Sequence, residues 1–561
     1  MKTFFKNTVG GTLIAFSLMV ACSKKDVPTT TTDSTDTTTT LSTSQQLVDS
    51  IFLYAKQLYL WYDQLPDSAT FLPLQYASGS GTDSAKGTAE IFALSRYAIN
   101  SSTGKSYEYY DNDGDTSETK YSFLESSDAD LNGGSEGVKS YVTLLGWGND
   151  LGLAYPVFVD DSIFAFRLFY ENGPAWNAGL RRGNCYVTAV NGKKFAYSSS
   201  SDITYLNSAL NASSITLTYF DTTSTTHTVT LTQTRYSSNP IFADTVLTSG
   251  SHTIGYIALL NFADPDVVSS NLKSAFSSFS SDGITDIIVD LRYNGGGYVE
   301  TSQQMANLIA PSSLSGKTMF SENYNALMQA GNATILKQIP QDDDPSKSYY
   351  DYTWAASDLT YDFSSSAGVG LSVSNVCFIV SDGTASASEL LINNLSPYMN
   401  VQLIGTTLTS SSNKPATTTT YGKPVGFFAI PIGSYDVYLS EFESRNSNDE
   451  AVSYSGMTCN VTDWDDLTHD FGDHREDAIA QAISYITNGS YLTTSRYIGS
   501  KSSTSSSSSN VLQTYMSLNK GLSGSSSSSV AGFQALKTFH NVSTPIQKGM
   551  IENFKTIRRN Q

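Results

Sequence analysis

Ser381-Asp382-Gly383-Thr384-Ala385-Ser386-Ala387-Ser388-Glu389 is the stretch on which the fold turns. It follows a short apolar run, Val376-Cys377-Phe378-Ile379-Val380, that predicts a buried strand. A helix-compatible run through Leu390, Leu391, Ile392 and Leu395 comes directly after it. A serine at a strand-to-helix turn presents its hydroxyl beside a helix N-terminus, where free N–H groups and the dipole favour developing negative charge. That is where a nucleophilic serine is wanted. Ser386 to Glu389 also reads as a capping box, with Ser386 accepting from the Glu389 N–H and the Glu389 carboxylate reaching back. Taken alone, the segment is more simply a cap.

Two further segments change that reading. Ile284 to Val289 is a second apolar run, closed by Asp290-Leu291-Arg292-Tyr293-Asn294-Gly295-Gly296-Gly297. Three consecutive glycines after a strand open backbone conformations closed to other residues and bring main-chain N–H groups close to a ligand, as an oxyanion hole requires. The plainer reading is a loop in which Asp290 and Arg292 pair with each other. The third segment, Tyr421-Gly422-Lys423-Pro424-Val425-Gly426, follows the strand-like Val401 to Gly405.

Together the three segments resemble the C-terminal processing peptidases, or tail-specific proteases, a serine peptidase family related to the tricorn core. Asp290 to Gly297 matches the family's DLR-x-N-x-GG element, Thr384 to Glu389 its serine element, and Tyr421 to Lys423 its F/Y-G-K element. The resemblance implies a ClpP/crotonase-like α/β catalytic core of roughly 250 residues. It implies Ser386 as nucleophile, Lys423 as general base, Glu389 as orienting or capping group, and the N–H groups of Gly296 and Ala387 as oxyanion donors. It implies a protein or peptide substrate and no cofactor. The composition agrees independently. The five histidines (His227, His252, His469, His474, His540) lie in no local Ser/His/Asp arrangement. A Ser–Lys pair needs none, because burial disfavours a charged lysine and lets it accept a proton near neutral pH. Tyr421, Val425, Phe427 and Phe428 give Lys423 an apolar setting. No G-x-S-x-G elbow surrounds Ser386, which disfavours a lipase or esterase. A catalytically silent peptide- or cell-wall-binding relative is the competing reading, disfavoured by retention of the serine, lysine, glutamate and glycine loop.

The chain departs from the family pattern twice. Ser386 and Lys423 stand 37 positions apart, more than is usual, and the excess is a polar run from Leu408 to Ala416 that reads as a surface insertion. The insertion brings a rival, Lys414, which lacks the Tyr-Gly context and sits among small polar residues. Four positions after Lys423, where the family often carries glutamine, stands Phe427.

Upstream, Glu171 to Asn184 leads into Tyr186 to Lys193 through a Gly-Pro turn, a short helix and a second glycine turn. This resembles a PDZ domain of the bacterial protease type, and alternation at Ile215 to Tyr219 and Val229 to Thr232 supplies later strands. Such domains take extended C-terminal peptides by strand addition. Leu151 to Phe169 is expected to hold the peptide-facing strand. At the N-terminus, Lys2 and Lys6 precede an apolar run from Val9 to Ala21. Leu18 to Cys22 resembles a bacterial lipoprotein processing site, implying that Cys22 is lipidated and anchors the chain to a membrane of the cell envelope.

The expected organisation is multidomain: a signal peptide over 1–22, a Thr/Ser tether over 23–44, and a small helical N-terminal domain with polar connector over 45–140. A PDZ-like β-rich domain follows over 141–236, then the catalytic domain over 237–490 and a Ser-rich linker and tail over 491–561. Apolar spacing predicts helices from Val48 to Tyr62 and near Ile91 to Ile99. Once Cys22 is set aside, Cys185, Cys377 and Cys459 remain, too few for a disulfide framework. No metal-type spacing appears, and Asp111 to Asp115 lacks the full spacing of a calcium loop. The net charge of −19 argues against a nucleic-acid partner.

Overall fold

The computed structural model describes residues 41–111, 115–127, 142–341, 344–407, 415–493 and 550–551. The signal peptide and nearly all of the tether, Cys22, Lys414, the centre of the Asp111 to Asp115 run and the serine runs of the tail lie outside the described residues.

Helix α1 (Thr43–Leu58) buries Leu47, Val48, Ile51, Phe52, Ala55 and Leu58, the helical stripe that the spacing predicts. It stops before Tyr62, and Tyr62–Gln64 forms a 3₁₀ turn ahead of Pro66. Helix α2 (Asp83–Leu94) starts and ends earlier than the expected Ile91 to Ile99. The Thr82 hydroxyl accepts from the Ala85 N–H at 3.2 Å, a cap that fixes the earlier start. This helical region has no separate core. Its apolar residues join one continuous cluster with Phe276, Val289, Phe378 and Leu390. The Leu60 N–H donates to the Ser440 carbonyl at 2.7 Å, Trp61 stacks on Tyr107, and Phe123–Ser126 pairs antiparallel with Tyr435–Tyr438. The connector therefore supplies a strand to the same body.

Between 153 and 232 the chain forms an antiparallel sheet of β1 (Leu153–Asp160), β2 (Ile163–Phe169), β3 (Tyr186–Val190), β4 (Ser214–Phe220) and β5 (Thr226–Thr232), in that order. Helix α3 (Ser200–Leu210) brings Leu206 onto Phe164, Val187 and Leu217, a core of the module's own.

The larger sheet begins with β6 (Ile241–Ser249) and β7 (His252–Leu259), an antiparallel pair. Then come helix α4 (Pro265–Ser281), β8 (Asp286–Asp290), the short β9 (Gly297–Tyr298) and helix α5 (Val299–Ile309). After them lie β10 (Asn375–Val380), helix α6 (Ala387–Leu395), β11 (Asn400–Thr407) and the short β12 (Val425–Gly426). β13 (Val461–Trp464), helix α7 (Asp477–Asn488) and the two-residue β14 (Met550–Ile551) complete the series. The sheet order is β13-β11-β10-β8-β7-β6, parallel except for the last pair. A parallel sheet is covered on both faces, and β8 shows how. Ile287 and Val289 face the core shared with α4, α5 and α6, while Ile288 faces Ala478, Ile479 and Ala482 of α7. The C-terminal ends of β8 and β10 thus lie side by side and carry the two loops singled out by the sequence.

Candidate active site

The turn after β10 is stitched to the turn after β8. The Thr384 hydroxyl donates to the Leu291 carbonyl at 2.8 Å, and Ser381 Oγ donates to the Arg292 carbonyl. Ser388 Oγ donates to the Asn294 carbonyl (3.1 Å) and to Asn294 Oδ1 (3.0 Å). The third segment joins through its backbone, the Tyr421 N–H donating to the Thr384 carbonyl at 2.9 Å. Three segments far apart in sequence therefore form one hydrogen-bonded unit.

Ser386 sits at its centre with φ 64° and ψ −118°, a backbone state that a residue with a Cβ rarely adopts. It has no exposed surface, and α6 begins at the next residue. Ser386 and Glu389 occupy capping-box positions, and the Glu389 carboxylate accepts from the Ser386 N–H at 3.0 Å. Ser386 Oγ faces the Glu389 N–H in the capping-box arrangement, yet among the described residues it makes no hydrogen bond of good geometry. A buried hydroxyl without a partner costs stability and calls for an explanation.

Glu389 is a hub. Its Oε2 accepts from the N–H groups of Ser386 (3.0 Å) and Lys423 (2.8 Å), and its Oε1 from the Gly422 N–H (2.8 Å) and the Thr420 hydroxyl. One carboxylate oxygen thus holds the backbones of the serine and the lysine together. Burial raises the Glu389 pKa above its ordinary value, against the lowering effect of these four donors.

Lys423 is fully buried, with Nζ 4.0 Å from the Phe427 ring centroid and 5.9 Å from that of Tyr121. Phe427 lies under the amine. The turn demands glycine at 422, where φ is 83° and a Cβ would come within 2.4 Å of the Gly456 nitrogen. Tyr121 closes the turn by donating to the Gly422 carbonyl at 2.6 Å.

In the glycine loop, Gly296 N–H donates to Asn294 Oδ1 at 2.9 Å, so this expected oxyanion donor is engaged in the structure. The Gly295 N–H makes no hydrogen bond with the described residues, and neither does that of Ala387, first residue of α6. Asp290 and Arg292 do pair, at 2.8 Å, within a larger cluster: Arg292 also meets Glu476 (2.6 Å) and Asp465 (3.1 Å). Arg182, from the five-stranded module, joins Asp465 at 2.7 Å. Next to this cluster a cavity of about 290 Å³ is lined by Tyr155 and Arg167 of that module and by Tyr293, Ser381, Asp382 and Thr418.

One group escaped the sequence reading. Lys120 donates to the Tyr454 carbonyl and lies 5.0 Å from the Tyr421 ring centroid, and Tyr421 in turn donates to the Lys120 carbonyl at 3.0 Å. Burial lowers its pKa to about 8, the Glu389 charge opposing. No local motif marks it. Among the described residues no group of three or more His, Cys, Asp or Glu is placed to hold a metal ion, and no helix is long and apolar enough to cross a membrane.

Comparison with known proteins agrees with this geometry. A Bacteroides fragilis protein classed as an S41 protease superposes with a TM-score of 0.52 at 19% identity, over 78% of this chain and 97% of its own, a likeness in fold. The photosystem II D1 C-terminal processing protease aligns over 75% of this chain and 93% of its own at 16% identity, with a TM-score of 0.39. Mature CPAF bound to lactacystin aligns over 79% and 97% at 10% identity, again at 0.39. No curated protein matches the chain in sequence. A family model described as Peptidase family S41 matches residues 253–435, the span that holds all three segments. Those residues form a peptidase family S41 domain, and that family supports a serine-type peptidase activity for the chain.

Proposed function

We propose that the chain is a serine endopeptidase working through a Ser386–Lys423 pair. The observation that carries this reading is the buried Ser386 hydroxyl at a helix N-terminus, without a hydrogen bond of good geometry among the described residues and with its backbone on the same carboxylate oxygen as that of Lys423. An amine with no exposed surface lacks the hydration that stabilises its ammonium form. Neutral Lys423 takes the Ser386 proton as Oγ attacks a peptide carbonyl. The resulting ammonium gives that proton to the leaving amine, and an acyl-enzyme remains. Water, deprotonated by the same amine, releases the second product. The oxyanion is held by the Ala387 N–H, aided by the dipole of α6, and by the glycine loop. Gly296 serves if Asn294 releases it, and the adjacent Gly295 N–H has no acceptor among the described residues.

Substrates in this reading are unstructured or C-terminal segments of envelope proteins. The five-stranded module acts as a PDZ-like peptide receptor, and lipidated Cys22 keeps the enzyme at the bacterial envelope membrane. Turnover of one unstructured protein by four variants tests the chemistry. Ser386→Ala, Lys423→Ala and Lys423→Arg should be inactive, since arginine does not give up its proton. Lys414→Ala should retain activity. An inactive Lys414→Ala beside an active, folded Lys423→Ala would transfer the base to the insertion. For the anchor, Cys22→Ala should move the protein from membrane to soluble fraction, and equal palmitate labelling of both forms would refute lipidation there.

A further inference from the structure

The short strand β14 lies at the end of the glycine loop. Its pairing with β9 is parallel, Gly297 opposite Met550 and Tyr298 opposite Ile551. On its other side the Phe427 N–H donates to the Met550 carbonyl at 2.9 Å. The main chain of Met550 is therefore held between the end of the glycine loop and the residue whose ring underlies the Lys423 amine. β9 also packs on α6, the helix that starts after Ser386. On its far side β9 is held by Phe262: Gly297 has φ 140°, and a Cβ there would come within 2.2 Å of the Phe262 carbonyl oxygen. Met550 has no exposed surface and belongs to the apolar cluster that includes Val299, Ala387, Val425 and Phe428.

An extended segment bonded along its main chain, with an apolar side chain sunk in a core, is bound as peptides are bound by strand addition. We infer that Met550–Ile551 is an intramolecular occupant of the peptide groove. It competes with extended substrates that place an unbranched, methionine-sized side chain in the pocket Met550 fills. This rests on the peptidase reading above. Two observations beyond the strand pairing agree with it. Ser386 and Lys423 have no exposed surface, so a substrate has to displace something to reach them. Methionine, flexible and polarisable, suits a pocket that also receives varied side chains.

The test uses the full-length chain with Met550→Asp, which places a charge at a fully buried, apolar position and expels the strand. Met550→Ala, a milder change that removes only packing, accompanies it. Two readouts are taken. Hydrogen exchange, measured in a Ser386→Ala background, should speed up at least tenfold at the amide of Phe427, which donates to the Met550 carbonyl, in Met550→Asp, and less in Met550→Ala. In the active background, kcat/KM for reduced, alkylated α-lactalbumin should rise fivefold or more, again graded between the two. Unchanged exchange overturns the seating. Faster exchange with unchanged kcat/KM overturns the competition. If neither wild type nor variants turn over any substrate, the peptidase reading falls and the competing role falls with it, while exchange still reports separately on the strand.

Discussion

Two buried polar clusters stand beside each other at the strand ends, and they differ in how completely they are satisfied. In the first, the Arg292 guanidinium grips both oxygens of Asp290 and both of Glu476, and Tyr256 donates to Asp290. Arg182 and the Tyr293 hydroxyl complete Asp465. Burial alone would raise the Asp465 pKa, yet the two arginines hold it well below the carboxylate range. In the second cluster Glu389 is equally well served, but Ser386 Oγ has no hydrogen bond among the described residues. A saturated network locks a shape, whereas an unsatisfied hydroxyl in a strained backbone marks the place where chemistry is kept ready.

That contrast can be broken at four points. Ser386→Ala should abolish turnover, by 10³-fold or more. It should change unfolding free energy by less than about 1 kcal/mol, because among the described residues Oγ makes no hydrogen bond to lose. A large loss of stability in that variant would show the hydroxyl to be structural. Arg292→Ala attacks the saturated cluster and strips the counter-charge from buried Asp290 and Glu476, leaving Asp465 to Arg182, at about 3–5 kcal/mol in urea unfolding. A cost under about 1 kcal/mol would mean the cluster is not a lock.

Glu389→Gln keeps the shape but turns one end of the hub into a donor facing N–H groups. Turnover should fall roughly 30- to 100-fold, or about 2–3 kcal/mol in barrier, with KM little changed. Wild-type kcat in that variant would deny the hub any part in aligning serine and lysine. The smallest effect belongs to Lys120, whose folded pKa of about 8 lies below its ordinary 10.5. The unfolded chain then binds the proton more tightly, so wild type gains stability as pH rises from about 8 to about 10.5. Lys120→Met should lack that rise, and the gap between the two proteins should shift by about 2 kcal/mol across the window. Parallel pH profiles would exclude it.

Much of this was legible in the chain. Val376 to Val380 and Ile287 to Val289 read as buried strands because every side chain there is apolar, as a sheet covered on both faces demands. The three loop segments read as one site through their joint resemblance to the C-terminal processing peptidases, since each alone reads more simply as a cap, a loop or a surface turn. What escaped depends on contacts between distant parts. Nothing near Lys120 in sequence shows that Tyr421 and Tyr454 will enclose it. The shared core of α1 was invisible because an amphipathic stripe does not say what covers it. The engagement of Gly296 by Asn294 is a matter of one side-chain rotamer, and β14 has too few residues to carry any periodicity.

The strained turn at Ser386 has a consequence for how such a gene would drift. With φ at 64° and ψ at −118°, glycine fits this position better than any residue bearing a Cβ. Folding alone would therefore favour replacing the serine, by up to roughly 1–3 kcal/mol of relieved strain. A lineage released from the need to cleave peptides would find its first stabilising mutation at the nucleophile itself, so loss of activity there would be self-reinforcing.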